Sequence, residues 1–111
     1  MDRKEQHPVN DDIVLDETIH QSTRLRIMTM LVSVPEEHRV AYAFIQQTLG
    51  LTGGNLTTHL RRLEKADYLI VTKEPGEMRP RTWVQVTNSG RRAFVEYLNN
   101  LERALTWKMP T

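Results

Sequence analysis

Gly54, Asn55, Thr57, Thr58, Arg61 and Arg62 have the side-chain types and the spacing to read a nucleic-acid duplex. Asn, Thr and Arg bond base edges, Arg also bonds phosphate oxygens, and a small residue lets the backbone come close. All six lie in TGGNLTTHLRRLEK (52–65), where Leu56, Leu60 and Leu63 recur at spacings of four and three. That spacing gives one narrow apolar stripe on a helix. Gly54, Thr58, Arg61, Arg62 and Lys65 then point away from the stripe, with Asn55 and Thr57 on its flanks. Such a face suits a DNA major groove. An ordinary solvated helix has the same pattern, so the flanking elements decide between the two.

Before this helix, the sequence predicts a polar tail over 1–12 and a first helix from about Asp16 to Val34, ended by Pro35. Ile27, Met28, Leu31 and Val32 give that helix its apolar spacing. Val40 is a candidate for a minimal strand. A short helix from Ala41 to Leu49 follows, with Phe44, Ile45 and Leu49 on its buried side. Gly50 sits where a left-handed residue closes a helix, and the Thr52 hydroxyl is placed to cap the next one. Two helices joined this tightly make a helix-turn-helix.

After the helix over 52–66, Asp67 stands where the chain needs a left-handed residue. Strands over 68–72 and 82–86 then flank the tip KEPGEMRPR, which carries Lys73, Arg79 and Arg81. A hairpin over 68–87 directly behind a helix-turn-helix reads as a wing. The last helix begins near Thr87 or Ser89 and runs to about Trp107, with Phe94, Leu98, Leu101 and Leu105 at near-heptad spacing. The expected fold class is therefore mainly α with a small β-hairpin. It is one domain over 13–107, whose C-terminal helix from about 88 to 107 serves dimerisation.

Composition supports this reading. A chain of 111 residues with 39% hydrophobic and 26% charged side chains suits one folded domain. No cysteine is present, so disulfides and thiolate sites are excluded. No apolar run is long enough for a membrane span and the N-terminus has no signal-like segment, so the expectation is a cytoplasmic protein with no membrane partner. Charge is uneven: residues 1–51 hold 5 basic and 8 acidic side chains, whereas residues 52–92 hold 8 basic and 4 acidic. That central excess favours a polyanion-binding surface.

Other chemistry finds little support. His7, His20, His38 and His59 lack the pairing of a metal site, and His59 projects near the leucine stripe as a packing residue. Asp11, Asp12, Asp16, Glu17 and His20 read as solvated or capping groups rather than metal ligands. Ser22, Ser33 and Ser89 have no nucleophile context, and Gly53-Gly54 lacks the spacing of a nucleotide loop. The expectation is no enzyme, no metal and no cofactor. Arg91 and Arg92 either touch DNA or pair with acids. Leu98 can reach the domain's own core, but Leu101, Leu105 and Trp107 need a partner: the same helix of a second chain, or the Ile13–Leu15 segment. The expected interface is Ile13, Leu15, Leu98, Leu101, Leu105 and Trp107.

Three stretches, IHQSTRLRIMTML, LGLTGGNLTTHLRRLEKADYLIV and PRTWVQVTNSGRRAFVEYL, occur in an order that resembles the winged helix-turn-helix transcriptional regulators related to the MarR and ArsR families. The resemblance is strongest to their small "winged helix DNA-binding domain" subgroup and covers roughly residues 13–105. It implies a homodimer on double-stranded DNA, with Gly54, Asn55, Thr57, Thr58, Arg61 and Arg62 facing the groove. It also implies that Thr52 and the helix N-terminus meet phosphate, and that Lys73, Arg79 and Arg81 contact DNA from the wing. Asp67 departs from the glycine usual in relatives. Repression is expected over activation, since no further domain is seen to contact polymerase. Two other readings remain: a winged module for protein–protein contact, or an effector-responsive regulator. For the latter Trp83, Tyr97 and Trp107 could line a pocket, although packing explains them equally and nothing else indicates a small-molecule effector.

Overall fold

The structure is a computed structural model and describes residues 13–106. The tail over 1–12 and Trp107 lie outside the described residues. The elements are α1 (Ser22–Val32), β1 (Val40–Ala41), α2 (Tyr42–Leu49), α3 (Gly53–Lys65), β2 (Leu69–Glu74), β3 (Arg81–Val86) and α4 (Asn88–Leu105). The fold class expected from the sequence is found, with one addition. The hairpin is part of a three-stranded antiparallel sheet in the order β1-β3-β2, because Val40 and Ala41 pair with Val84 and Trp83.

Asp16 starts a turn rather than the first helix. Its Oδ1 accepts from the N–H of Thr18 at 2.9 Å and of Ile19 at 3.3 Å, and Ile19 is thereby turned into the core. Gln21 is extended and its side chain accepts from the Arg24 N–H at 2.8 Å, so the helix opens only at Ser22. Local side-chain bonds have displaced the helical ladder, as Asp and Gln near a helix start can do. At the other end α1 stops at Val32, two residues short of expectation, with the Ser33 hydroxyl bonded back to Thr29 O.

The caps between elements follow the sequence closely. Gly50 is left-handed (φ 66°), and the N–H groups of Gly50 and Leu51 bond Gln47 O and Gln46 O. Asp67 repeats this ending for α3: its φ is also 66°, and the N–H groups of Asp67 and Tyr68 bond Glu64 O and Leu63 O. Both are the same left-handed stop, reached once with glycine and once with aspartate. Thr52 and Thr87 cap α3 and α4 by accepting from the N–H groups of Asn55 and Gly90.

The core joins Ile19, Ile27, Met28, Leu31, Ile45, Leu56, Leu60, Leu63, Val84, Phe94 and Tyr97. Phe44 corrects the sequence reading: it is 56% exposed, because α2 is aimed inward by the fully buried Ile45, one residue and about 100° away on the wheel. The hairpin falls within the expected 68–87, but its strands are longer than expected. Its ladder continues through Lys73↔Thr82 and Glu74↔Arg81, which leaves only 75–80 as the tip.

Gly90 fixes how closely α4 approaches the base of the hairpin. A Cβ there would collide with the backbone carbonyl of Tyr68 and with Val86. Alanine would normally favour a helix over glycine by about 1 kcal/mol, but a backbone collision outweighs that gain. Gly90→Ala is expected to destabilise the domain by about 1–3 kcal/mol, seen as a fall in Tm of roughly 5–15 °C. A Tm equal to or above that of the wild type would overturn this packing argument.

Candidate nucleic-acid interface

On α3, Leu56, Leu60 and Leu63 are buried, while Thr52, Gly54, Asn55, Thr58, Arg61 and Arg62 are exposed. A Cβ built at Gly54 would meet nothing, so this position stands against open space. The Thr58 hydroxyl donates to Gly54 O at 2.9 Å and keeps its lone pairs free to accept. Thr57 is less available. It is half-buried, and its hydroxyl lies 2.9 Å from Tyr42 Oη, whose own proton goes to Gly53 O at 2.8 Å. Tyr42 thus locks α2 to the first turns of α3, a role the sequence did not reveal.

The hairpin presents Lys73, Arg79 and Arg81 as exposed cations, and Met78 at the tip is 95% exposed. Arg39, not singled out from the sequence, belongs to the same surface. Its guanidinium lies 4.6 Å from the Trp83 ring centroid and bonds the Glu74 carboxylate at 2.7 Å. That bond holds the Glu74 carboxyl below its ordinary range. Arg39 is therefore committed to bracing the sheet, and it offsets the one acid within the β2 ladder. For Arg91 the structure shows a further role: its guanidinium bonds Val32 O at 3.3 Å and Val34 O at 2.9 Å, closing the C-terminal end of α1. Arg92 is exposed.

Beneath α3 lies Arg24, a cation only 7% exposed. It donates from Nε to Thr18 O at 2.6 Å, from Nη2 to Glu17 O at 3.4 Å, and from Nη1 to His59 Nδ1 at 3.2 Å. A guanidinium has no acceptor, so His59 must receive this bond on an unprotonated Nδ1. Burial, Arg24 and Arg62 all hold the imidazole below its ordinary pKa. His59 is half-buried, in keeping with the packing role expected of it.

The residues expected at a dimer interface divide. Ile13 and Leu15 are half-buried, and Leu15 and Leu101 pack on the chain's own core. Leu98 and Leu105 are exposed, Leu105 by 75%, and so are Val14 and Val95. Asn100 Nδ2 donates to Val14 O at 3.1 Å, which holds the Val14 segment beside α4. Of the residues considered for an effector pocket, Trp107 lies outside the described residues. Tyr97 is buried with its hydroxyl on His20 Nδ1 at 2.7 Å, and Trp83 is covered by Arg39. Among the described residues no group of His, Cys, Asp or Glu is placed to hold a metal ion. No described helix is long and apolar enough to cross a membrane.

The profile of the winged helix DNA-binding domain family matches residues 23–105. The chain belongs to this family. An uncharacterized protein of Methanocaldococcus jannaschii is 31% identical over 75 residues, which is 68% of this chain and 78% of that protein. Among solved structures, a transcriptional regulator homologue from Pyrococcus horikoshii superposes with a TM-score of 0.73 at 30% identity, over 81% of this chain and 86% of that one. A PadR family transcriptional regulator from Eggerthella lenta shares the fold, with a TM-score of 0.55 at 21% identity over 78% and 80% of the two chains. In winged-helix terms, α2 and α3 are the helix-turn-helix and β2–β3 is the wing.

The Tyr42 lock can be tested by its removal. Tyr42→Phe loses both hydroxyl bonds and is expected to cost about 1–2 kcal/mol, a fall in Tm of about 5–10 °C by thermal melting. An unchanged Tm would mean that the hydroxyl contributes nothing to holding α2 against α3.

Proposed function

We propose that the protein is a sequence-specific transcriptional regulator that acts without catalysis as a homodimer on double-stranded DNA in the cytoplasm. In this reading α3 enters the major groove and the hairpin lies over the adjacent backbone. The observation that carries it is the α3 surface. Its leucines are buried, and the exposed side combines an open glycine, an amide, a hydroxyl and two arginines. Asn55, Arg61 and Arg62 supply the groups that meet base edges, with Thr58 as an acceptor and Thr57 as a packing neighbour. The capped N-terminus at Thr52 supplies N–H groups for a phosphate. Lys73, Arg79 and Arg81 supply sequence-independent attraction. The central cationic excess favours this reading over a winged module for protein contact.

The resemblance to MarR- and ArsR-like motifs supports kinship with those regulators, while PadR-like proteins share the fold. Repression is the proposed mode, by occupation of the site. The dimer would form through α4, where Val95, Leu98 and Leu105 are exposed and Val14 adds to the apolar area. An isologous contact of this kind gives a two-fold DNA site.

Four outcomes test the surface. Asn55→Ala and Arg62→Ala are expected to change sequence preference in a binding selection, by about 1–3 kcal/mol at the affected base. Arg79→Ala and Arg81→Ala are expected to weaken binding to all sequences and reduce the salt slope by about one each. Binding unchanged in all four variants would remove α3 and the wing from the interface. Gly54→Ala isolates close approach from stability: it is expected to raise Tm slightly, since glycine costs a helix about 1 kcal/mol relative to alanine, while weakening DNA binding at least tenfold. Sedimentation at micromolar concentration tests the dimer, and a monomer there refutes it.

A further inference from the structure

On α4, Arg91, Val95, Leu98, Glu102 and Leu105 recur at spacings of four, three, four and three, so they form one row along the helix. Val95, Leu98, Glu102 and Leu105 are all exposed. Glu102 is thus an acid set between two leucines of an apolar row. The residues three and four positions away from it are Leu98, Asn99, Leu105 and Thr106, none of them cationic. Among the described residues no cation bonds its carboxylate. Arg91, at the other end of the row, has the complementary deficit. Its Nη1 and Nη2 bond the carbonyls of Val32 and Val34, and no carboxylate meets it among the described residues. Each of those nitrogens carries a second hydrogen and Nε carries one, so three donors stay open with both carbonyl bonds in place. The two charges cannot meet within one copy: eleven residues of helix hold them about 16 Å apart along its axis.

We propose that two copies of the chain pair through this row with their α4 helices antiparallel, so that Arg91 of each copy meets the partner's Glu102. The inference rests on the homodimer of the functional reading above, and gives it an orientation and a register. A two-fold axis level with residues 96 and 97 sets Val95 opposite the partner's Leu98. The same operation sets Arg91 opposite the partner's Glu102. One register therefore satisfies the apolar and the charged positions together. A parallel pair does not: it sets Glu102 beside the partner's Glu102 and Arg91 beside the partner's Arg91, with like charges facing. Two-fold symmetry makes the ion pair twice, once at either end of the Val95 and Leu98 contact. The carboxylate takes the open donors of the guanidinium, so Arg91 keeps its bonds to Val32 and Val34 and still closes α1. Pairing also removes the cost of placing an acid without a cation in a contact that excludes water.

The chain has no cysteine, so a single introduced one reports proximity without background. Val95→Cys and Leu105→Cys are each oxidised mildly at micromolar concentration and read as covalent dimer on a denaturing gel, beside sedimentation of the wild type. In the antiparallel register two copies of position 95 stand about 4–5 Å apart along the helices, within reach of a disulfide, and two copies of position 105 about 25 Å apart. Val95→Cys is expected to cross-link and Leu105→Cys to stay monomeric on the gel. A parallel pair would cross-link at both positions. The ion pair is read from Glu102→Gln, with the dimer dissociation constant expected to rise about tenfold for two symmetric pairs and to depend less on salt. An acid without a cation would give the opposite sign, since glutamine removes a desolvated charge and tightens the contact. Glu102 is exposed, so this variant is expected to keep the wild-type monomer fold, checked by circular dichroism, whereas Arg91 also holds α1 and is left unchanged. A sedimenting dimer that cross-links at 105, or fails to at 95, overturns the inference and leaves the homodimer reading intact. So does a dimer that Glu102→Gln leaves unchanged or tightens. A wild type that sediments as a monomer overturns the homodimer reading and this inference together.

Discussion

A 13-residue helix that buries Leu56, Leu60 and Leu63 to 3% exposure or less has one rotational setting against the core. Burying each leucine contributes about 1.5–3 kcal/mol. Turning α3 by even one residue's angle would bring one of them into water and a polar side chain into the core. That constraint fixes which side chains face outward, and the rest of the domain is arranged to keep it. Thr52 satisfies the helix N-terminus, the left-handed Asp67 closes the other end, and Tyr42 ties the first turns to α2. The outer face needs no support of its own. Its residues can be chosen for what they bind because the leucines have already decided where they point.

What was legible in the sequence is what depends on neighbours in the chain. The stops at Gly50 and Asp67, the caps at Thr52 and Thr87, and the leucine stripe all use contacts within five residues, and spacing alone reveals them. What was not legible depends on partners far away. Asp16 and Glu17 look like the first turn of a helix, yet Asp16 accepts from the hydroxyl of Tyr68, 52 residues on. Burial, with that bond, pushes the Tyr68 phenol up to about 12. Phe44 looks like core because it is aromatic and next to Ile45, but a helix of eight residues can turn only one narrow side inward. The minimal strand at Val40 was legible, but its partner, the edge of β3, was not.

The arginines show the same division. Counting charge by segment identified a cationic centre but could not separate structural cations from available ones. Arg91 lies inside that segment and closes α1, whereas Arg39 lies outside it and belongs to the sheet beside the wing. Arg24 sits in the acidic segment over 1–51 and reaches α3 in space. These three hold carbonyls, a carboxylate, an indole face and an imidazole. Only arginine combines a fixed fork of donors with a flat cation that stacks. The exposed cations of the 52–92 segment are Arg61, Arg62, Lys65, Lys73, Arg79, Arg81 and Arg92.

The turn at 16–21 is where these structural demands meet. It bonds the hairpin base through Asp16 and Tyr68, α4 through His20 and Tyr97, and α3 through Thr18, Arg24 and His59. α4 is 18 residues, about 27 Å at 1.5 Å per residue. Its buried residues, Gly90, Phe94 and Tyr97, all fall in the first ten of those. The remaining length touches the core through Leu101 and carries Leu98 and Leu105 exposed beside it. A helix that leaves its own domain with an apolar side uncovered gains stability only against another surface. When that surface is a second copy, the angle of α4 sets the separation of the two α3 helices. Because Tyr97 is anchored to the same turn that holds Arg24, the spacing of the pair and the seating of each α3 are fixed through one short segment.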